Sequence, residues 1–222
     1  MPLQDYLYYT VEDKKIILAA LCCLGFLATN ILTVKITDLG VFGLVTPSGV
    51  FIYPLSYVAT HVLADAHGEL TARKATVLSA IVSLIFVIVA TFVMILPPAS
   101  SVWDGQQAYE IIFAQSLRIL ISSYAAYITG SLIDARLTRI FKRRSKDGEI
   151  GYWSIFIIAF AQLCDITVFT VLGWAGSISF MDAFLMDMGQ WAVMLLWTII
   201  VQPITVRLIH WARVDSGIML NS

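Results

Sequence analysis

Long apolar runs, separated by short polar or helix-breaking segments, dominate the sequence. Six such runs occur, at residues 16–34, 48–66, 75–96, 111–135, 152–174 and 183–211. A helix needs about 20 predominantly apolar residues to cross a hydrocarbon core of about 30 Å. The pattern therefore predicts an all-α integral membrane protein built as a bundle of six transmembrane helices.

The second run differs from the others because helix breakers interrupt it. Pro47, Gly49 and Pro54 fall near its start, and His61 and Asp65 add polar groups further along. Proline removes a backbone donor and disturbs a helix. A bundle tolerates such breaks where neighbouring helices or water satisfy the freed backbone groups. We therefore predict that the second helix is irregular from Pro47 to Pro54.

Composition agrees with a lipid environment. The chain has 222 residues, of which 59% are hydrophobic and 13% charged, whereas soluble domains carry about 25% charged residues. Its formal net charge is -1, so it has no basic field that would attract nucleic acid. We expect the lipid bilayer, and no nucleic acid, as a partner of the chain.

The basic residues indicate the orientation of the bundle. Of the 14 Lys and Arg residues, all but Lys35 and Arg118 fall in segments that share one side of a six-helix bundle. Cytoplasmic loops accumulate Lys and Arg. Both termini are therefore predicted in the cytoplasm, with residues 1–15 as an N-terminal segment, 16–211 as one transmembrane domain and 212–222 as a cytoplasmic tail.

Motifs for catalysis or for metal binding are absent from the sequence. There is no GxxxxGK[ST] phosphate loop, no GxSxG and no HExxH. The three cysteines and three histidines show no metal-ligand spacing. We therefore expect no metal, no other cofactor and no enzymatic activity.

Polar residues inside the apolar runs are the candidates for function, because a charge at the centre of a span costs about 2.5 to 3.5 kcal/mol on insertion scales. Asp165 is the first candidate, since it lies in the middle of the fifth run, and Gln162 shares its helix face at i, i+3. Asn30, Asp187 and Gln190 lie at depths where they could converge with Asp165. The residues predict a cavity for a small polar solute.

Arg118 lies well inside the fourth run and needs a partner. A guanidinium in a bundle is expected to pair with a carboxylate, here Asp165 or Asp187. Such an ion pair either has a functional role, in binding or gating the substrate, or a structural role, in holding two helices together. His61, Asp65 and Asp187 are candidates for proton coupling or gating, although His61 and Asp65 could instead satisfy each other at i, i+4.

Four stretches in order resemble one known family. They are TNILTVKI at 29–36, PSGVFIYPLSYVATHVLADAHG at 47–68, SLRILISSYAAYITGSLID at 116–134 and AQLCDITVFTVLGWAG at 161–176. Together they are similar to the queuosine precursor transporters, also called the vitamin uptake transporter family. Arg118, Asp134 and Asp165 match that family's motifs, whereas His61 stands where the family usually has aspartate. The chain resembles a divergent member.

This resemblance implies import of a deazaguanine base, such as 7-cyano-7-deazaguanine or queuine, across the bacterial inner membrane by secondary or facilitated transport. The alternatives are uptake of another vitamin-like heterocycle as the binding subunit of a larger complex, or a helical scaffold that transports nothing. The residues expected to bind the base are Asn30, Arg118, Gln162, Asp165 and Gln190 through polar groups, and Tyr53, Tyr57 and Trp191 through ring faces. Small residues such as Gly25 and Gly130 are compatible with a homodimer.

Overall fold

The computed structural model of the chain describes residues 9–99, 102–144 and 153–213. Seven α-helices and one short hairpin occur in these ranges. The helices are α1 (Val11–Leu32), α2 (Tyr53–His67), α3 (Glu69–Met94), α4 (Gln106–Phe113), α5 (Ser116–Arg144), α6 (Trp153–Trp174) and α7 (Phe180–Arg213). The predicted cytoplasmic tail beyond Arg213 and the first eight residues lie outside the described ranges.

Five of the described helical segments are long and apolar enough to cross a membrane. They are Val11–Leu32, Glu69–Met94, Gln106–Phe141, Phe156–Trp174 and Phe180–Arg213. The third of these combines α4 and α5, which the sequence predicted as one helix starting at residue 111. The prediction of an all-α membrane protein with several crossings is confirmed.

The second predicted helix is irregular where its prolines indicated. A 3₁₀ helix covers Ser48–Phe51, and α2 follows with Pro54 in its first turn, where a missing backbone donor does no harm. α2 has only 15 residues and is about 22 Å long at 1.5 Å per residue. It therefore falls short of a membrane crossing by itself.

A two-stranded hairpin between α1 and the 3₁₀ helix was not predicted. Strand β1 (Ile36–Asp38) pairs antiparallel with β2 (Val45–Pro47), with Thr37 opposite Thr46. Gly40 and Gly43 both have φ of +69° in the connecting turn, a conformation that glycine adopts without strain. Two glycines between short β-prone segments are the sequence signal for this hairpin.

The hairpin is fixed against α7 and against the end of α1. A Cβ atom at Gly189 would collide with the carbonyl oxygen of Val45, so only glycine lets α7 approach β2 this closely. Ser48 N donates to Lys35 O over 2.7 Å, which joins the 3₁₀ helix to the hairpin. The hairpin therefore holds the irregular segment in one position.

The helices pack in two groups. α5 and α6 run antiparallel, since Gly130 faces Asp165 while Ser122, nearer the start of α5, faces Gly173, nearer the end of α6. The second group is α1, α2, α3 and α7, which share a buried apolar cluster that includes Leu18, Leu63 and Val201. Gly25 of α1 packs against Ser56 of α2, so Gly25 and Gly130 both serve contacts inside one chain.

The two ends of the bundle differ in charge. We call the end with Lys14, Arg73 and Arg213 the basic end, and the end with β1 and β2 the hairpin end. At the basic end the buried Lys14 Nζ donates to Trp211 O over 2.8 Å and lies 4.9 Å from the centre of the Trp211 ring. Lysine here stabilises the last turn of α7, where backbone carbonyls have no partner in the helix.

Candidate functional site

A central cavity of about 100 Å³ lies between the two groups of helices. A single buried water needs about 10 to 15 Å³, so the cavity has room for a small molecule. α1, the 3₁₀ helix, α2, α5, α6 and α7 all contribute to its wall. Its polar lining consists of Thr29, Asn30, Thr33, Tyr53, Ser56, Ser123, Tyr127, Asp165 and Gln190.

Asp165 is the charged residue in the described wall of this cavity. Its carboxylate has neither a hydrogen bond nor an ion pair with any residue in the described ranges. On the neighbouring helix, a Cβ atom on Gly130 would lie 2.9 Å from Asp165 Cβ. A carboxylate inside a membrane bundle needs donors, and since no residue in the described ranges donates to this one, a molecule in the cavity is in position to supply them.

Gln190 offers a second free acceptor in the wall of the cavity. Its Oε1 atom is buried and has no hydrogen-bond partner in the described part of the chain. Leaving a buried acceptor without a donor costs about 1 to 3 kcal/mol. Gln190 and Asp165 therefore present two acceptors, from α7 and α6, to any molecule in the cavity.

Asn30 and Ser123 are fixed by each other. Ser123 Oγ donates to Asn30 Oδ1 over 2.6 Å, and Asn30 Nδ2 donates to Phe26 O over 2.9 Å. This pair joins α1 to α5 across the cavity wall. Asn30 thus lines the cavity, but its amide is already engaged within the protein.

A second, wider cavity of about 400 Å³ lies toward the basic end. Its polar wall contains Tyr57, His61, Ser131, Asp134 and Gln162. Three residues line both cavities, namely Tyr53, Tyr127 and Asp165. The two cavities therefore meet at these three side chains, which come from α2, α5 and α6. We call this second space the basic-end cavity.

Three rings of α2 form a ladder along the basic-end cavity. The ring centres of Tyr53 and Tyr57 are 6.0 Å apart, and those of Tyr57 and His61 are 4.3 Å apart. Residues spaced by four lie on one face of a helix. With their i, i+4, i+8 spacing, the three rings form one aromatic stripe on α2, which extends from the junction of the cavities toward the basic end.

Arg118 has different partners from those expected. Its Nε donates to Leu172 O over 2.9 Å and one terminal nitrogen donates to Ala175 O over 2.6 Å. These carbonyls lie at the end of α6, where helical oxygens lack intrahelical donors. The expected ion pair with Asp165 or Asp187 does not form among the described residues, and Arg118 lies outside the central cavity.

Three other predicted residues lie outside both cavities. Trp191 Nε1 donates to Ala159 O over 3.0 Å and so ties α7 to α6. Asp187 is buried, with the hydroxyl groups of Thr167 and Thr170 close to it. Asp65 is paired with Arg213 at the basic end, so the local pair with His61 that the spacing allowed is replaced by a contact from α2 to α7.

Ser123 and Tyr127 are among the polar residues of the central cavity that the sequence did not single out, together with Thr29, Thr33 and Ser56. Serine and tyrosine in an apolar run carry no charge, so nothing in the local sequence separates a cavity residue from a packing residue. Their positions relative to Gly130 on α5 give a weak signal, because Ser123 and Tyr127 lie seven and three residues before that close contact. Helical spacing puts these positions near one face.

The fold and the site together define a multi-pass membrane protein with an internal cavity that has room for a small molecule. A family model described as "Putative vitamin uptake transporter" matches residues 47–208. The chain is also 31% identical over 160 residues to the "Probable queuosine precursor transporter" of Bacillus subtilis (strain 168), which covers 69% of this chain and 67% of the relative. Comparison with solved structures gives no match.

The chain belongs to the vitamin uptake transporter family, as the resemblance of its four stretches indicated. It is a transporter and not an enzyme. The matched region contains both cavities except for the contributions of α1, and it includes Asp165 and Gln190.

Proposed function

We propose that this protein imports a queuosine precursor, a deazaguanine base such as 7-cyano-7-deazaguanine or queuine, by binding it in the central cavity. The membrane is the inner membrane of a bacterium. The basic end faces the cytoplasm, and the 3₁₀ helix and α2 together form the second of six crossings. The name of the Bacillus relative supports the substrate class, and the concentration of Lys and Arg at one end supports the orientation.

The chemistry of the cavity suits a planar base with donors along one edge. A guanine-like edge offers N–H groups, and Asp165 accepts two of them side by side. Gln190 Oε1 accepts a further donor from α7. Apolar and aromatic side chains such as Phe26, Ile166 and Phe169 line the rest of the wall and pack against the faces of the ring. Stacking contributes about 1 to 3 kcal/mol per base in nucleic-acid binders.

The observation that carries this proposal is that the unpaired carboxylate of Asp165 and the unpartnered Gln190 Oε1 line the same cavity. Two free acceptors in a bundle are costly unless a ligand brings donors to them. A scaffold protein has no use for such a pair. Residues whose function is to hold helices together are instead satisfied internally, as Arg118, Asn30 and Trp191 are.

Energy coupling follows a secondary or facilitated route in this proposal, since the sequence has no phosphate loop. His61 and Asp187 are the candidates for a coupled proton, while Asp65 serves the basic end through Arg213. Uptake that is coupled to protons is expected to slow when the proton gradient is collapsed.

A homodimer stays a prediction from the sequence, and native mass spectrometry is its test.

The test is thermal stabilisation of the detergent-purified chain by 7-cyano-7-deazaguanine, queuine, guanine and biotin. A true ligand at about 100 times its Kd adds about 2.7 kcal/mol, which raises Tm by about 5 to 10 °C in a chain of this size. Asp165→Asn keeps the shape of the side chain but loses the charge. We expect this variant to fold and to lose most of the shift.

The control is Asp104→Asn, which changes an exposed carboxylate outside the helices and is expected to keep the full shift. Stabilisation by biotin alone would favour uptake of another vitamin-like heterocycle. A folded protein that no base stabilises would contradict the substrate class and favour the scaffold.

A further inference from the structure

The basic-end cavity has no part in the binding step described above. We infer that it is a second binding station for the same planar, nucleobase-like ligand, which reaches it from the central cavity by passing a gate of Tyr53, Tyr127 and Asp165. This inference rests on the proposed function. It assigns a site to Asp134, Gln162 and His61, and a gating role to Tyr127.

The two cavities are stacked along the bundle. On α5, Ser123 and Ala126 line the central cavity, whereas Gly130, Ser131 and Asp134 line the basic-end cavity. These residues follow one another toward the end of the helix. Earlier residues of α5 line the central cavity and later ones line the basic-end cavity. The basic-end cavity therefore continues the central cavity along the helix axis.

The same change occurs on α6 in the opposite direction. Phe169 and Ile166 line the central cavity, and Gln162 and Ile158 line the basic-end cavity. Because α6 is antiparallel to α5, both helices give the same order along the bundle. Asp165 on α6 and Tyr127 on α5 line both cavities, so each lies where its helix passes from one cavity to the other.

α2 provides the third wall. Tyr53 lines both cavities and Ser56 lines the central one, whereas Tyr57 and His61, further toward the basic end, line the basic-end cavity. The three rings form the ladder described above. A flat ligand that stacks on Tyr53 at the junction meets the next ring about one helical turn further on, so it can move without losing contact with an aromatic face.

A carboxylate and a carboxamide are present in each cavity, with Asp165 shared between the two. The central cavity has Asp165 and Gln190, and the basic-end cavity has Asp134 and Gln162. Gln162 Oε1 is buried without a hydrogen-bond partner in the described ranges. Asp134 has no ion pair with a described residue. The N–H donors that a base offers to Asp165 and Gln190 in the central cavity can therefore be accepted by Asp134 and Gln162 in the basic-end cavity.

Tyr127 is the member of the gate that can move. It is 46% exposed, whereas Tyr53 packs beside the buried cluster of Val50, Ile166 and Met194. An exposed tyrosine changes rotamer faster than a packed one. Rotation of Tyr127 therefore opens the junction while Tyr53 and its helix stay in place.

The test uses cysteine protection, with 7-cyano-7-deazaguanine as the probe. Ala126→Cys reports on the central cavity and Ser131→Cys on the basic-end cavity. Alkylation at each position is followed by peptide mass spectrometry, so the native cysteines can stay. With ligand at about ten times the Kd of the weaker station, so that both stations are filled, both positions are expected to react at least about tenfold more slowly, since only the free fraction reacts. Leu132→Cys is the matched control, because it neighbours Ser131 but is 65% exposed on the outer surface.

A second variant separates direct contact from an indirect effect. Asp134→Asn is expected to remove most of the protection at Ser131→Cys and to leave the protection at Ala126→Cys unchanged. Protection at Ala126→Cys alone, or protection at Ser131→Cys that Asp134→Asn does not change, would overturn the second station and keep the proposed function. Absence of protection at both, with no thermal shift, would overturn the proposed function and with it this inference.

Discussion

At the scale of single residues, the contact between α5 and α6 controls the position of the Asp165 carboxylate. Gly130 of α5 packs against Asp165, and a Cβ atom at this position would lie 2.9 Å from Asp165 Cβ, so the contact leaves no room for a side chain. The sequence identified Asp165 as the first candidate from its depth and its charge. It could not show that a glycine on another helix leaves the space for it.

We predict that Gly130→Ala weakens ligand binding and lowers stability. The new methyl group would lie 2.9 Å from Asp165 Cβ and 3.4 Å from its Cγ, so the helices must separate or the carboxylate must turn away. Overpacking of this kind costs about 1 to 3 kcal/mol. Binding by calorimetry and Tm by nano-differential scanning fluorimetry measure the two effects.

Gly173→Ala is the matched control, since it tests a glycine on the same helix pair. Its Cβ would lie 3.7 Å from Ser122 Cβ, an ordinary contact. Alanine favours a helix by about 0.5 to 1 kcal/mol over glycine, so this variant is expected to be as stable as the parent or more stable. Equal behaviour of the two variants would refute the steric argument at Gly130.

At the scale of elements, the end of α6 is held by a cation from α5. From the sequence we predicted that Arg118 would pair with a carboxylate. That prediction took only side-chain groups as partners for the guanidinium and left out backbone carbonyls. A guanidinium has five donors, and two carbonyls at a helix end satisfy it well and also match the negative end of the helix dipole. Arg118 therefore binds Leu172 O and Ala175 O because α6 ends beside it and leaves these carbonyls free.

We predict that Arg118→Met lowers stability and leaves ligand affinity almost unchanged. Loss of the two charged hydrogen bonds is expected to cost about 1 to 2 kcal/mol, or about 2 to 8 °C in Tm. Arg118→Lys, which keeps the charge but offers a single nitrogen, should give a smaller loss. A variant that stays as stable as the parent but no longer binds 7-cyano-7-deazaguanine would return Arg118 to the set of substrate ligands.

At the scale of the whole molecule, the proposed number of crossings depends on α2. This helix is too short to cross by itself, and the 3₁₀ helix extends it at the hairpin end. Only Gly68, with φ of +89°, separates α2 from α3. The two helices thus reverse direction at the basic end, as expected for two consecutive crossings.

We predict that Phe42→Cys and Lys74→Cys lie on opposite sides of the membrane. Phe42 is 92% exposed at the tip of the hairpin, and Lys74 is exposed near the start of α3. A membrane-impermeant maleimide should label Phe42→Cys in spheroplasts and label Lys74→Cys only after permeabilisation. Labelling of both positions from one side would mean that α2 does not cross, and the bundle would have five crossings.

The sequence by itself determined the lipid environment, the apolar helices and the irregular second segment, and it predicted Asp165 as the first candidate for binding. These follow from local rules, because length, hydropathy, proline positions and the cost of a buried charge act on each segment separately. The tertiary structure alone decided which polar residues share a cavity. It joined Asp165 to Gln190, turned Arg118 and Trp191 to backbone carbonyls, and brought Tyr53 and Tyr127 to the junction of two cavities. The physical reason is that a polar group inside a membrane bundle binds whichever partner the helix packing brings within reach, and that packing depends on close contacts, such as those at Gly130 and Gly189, between residues far apart in the sequence.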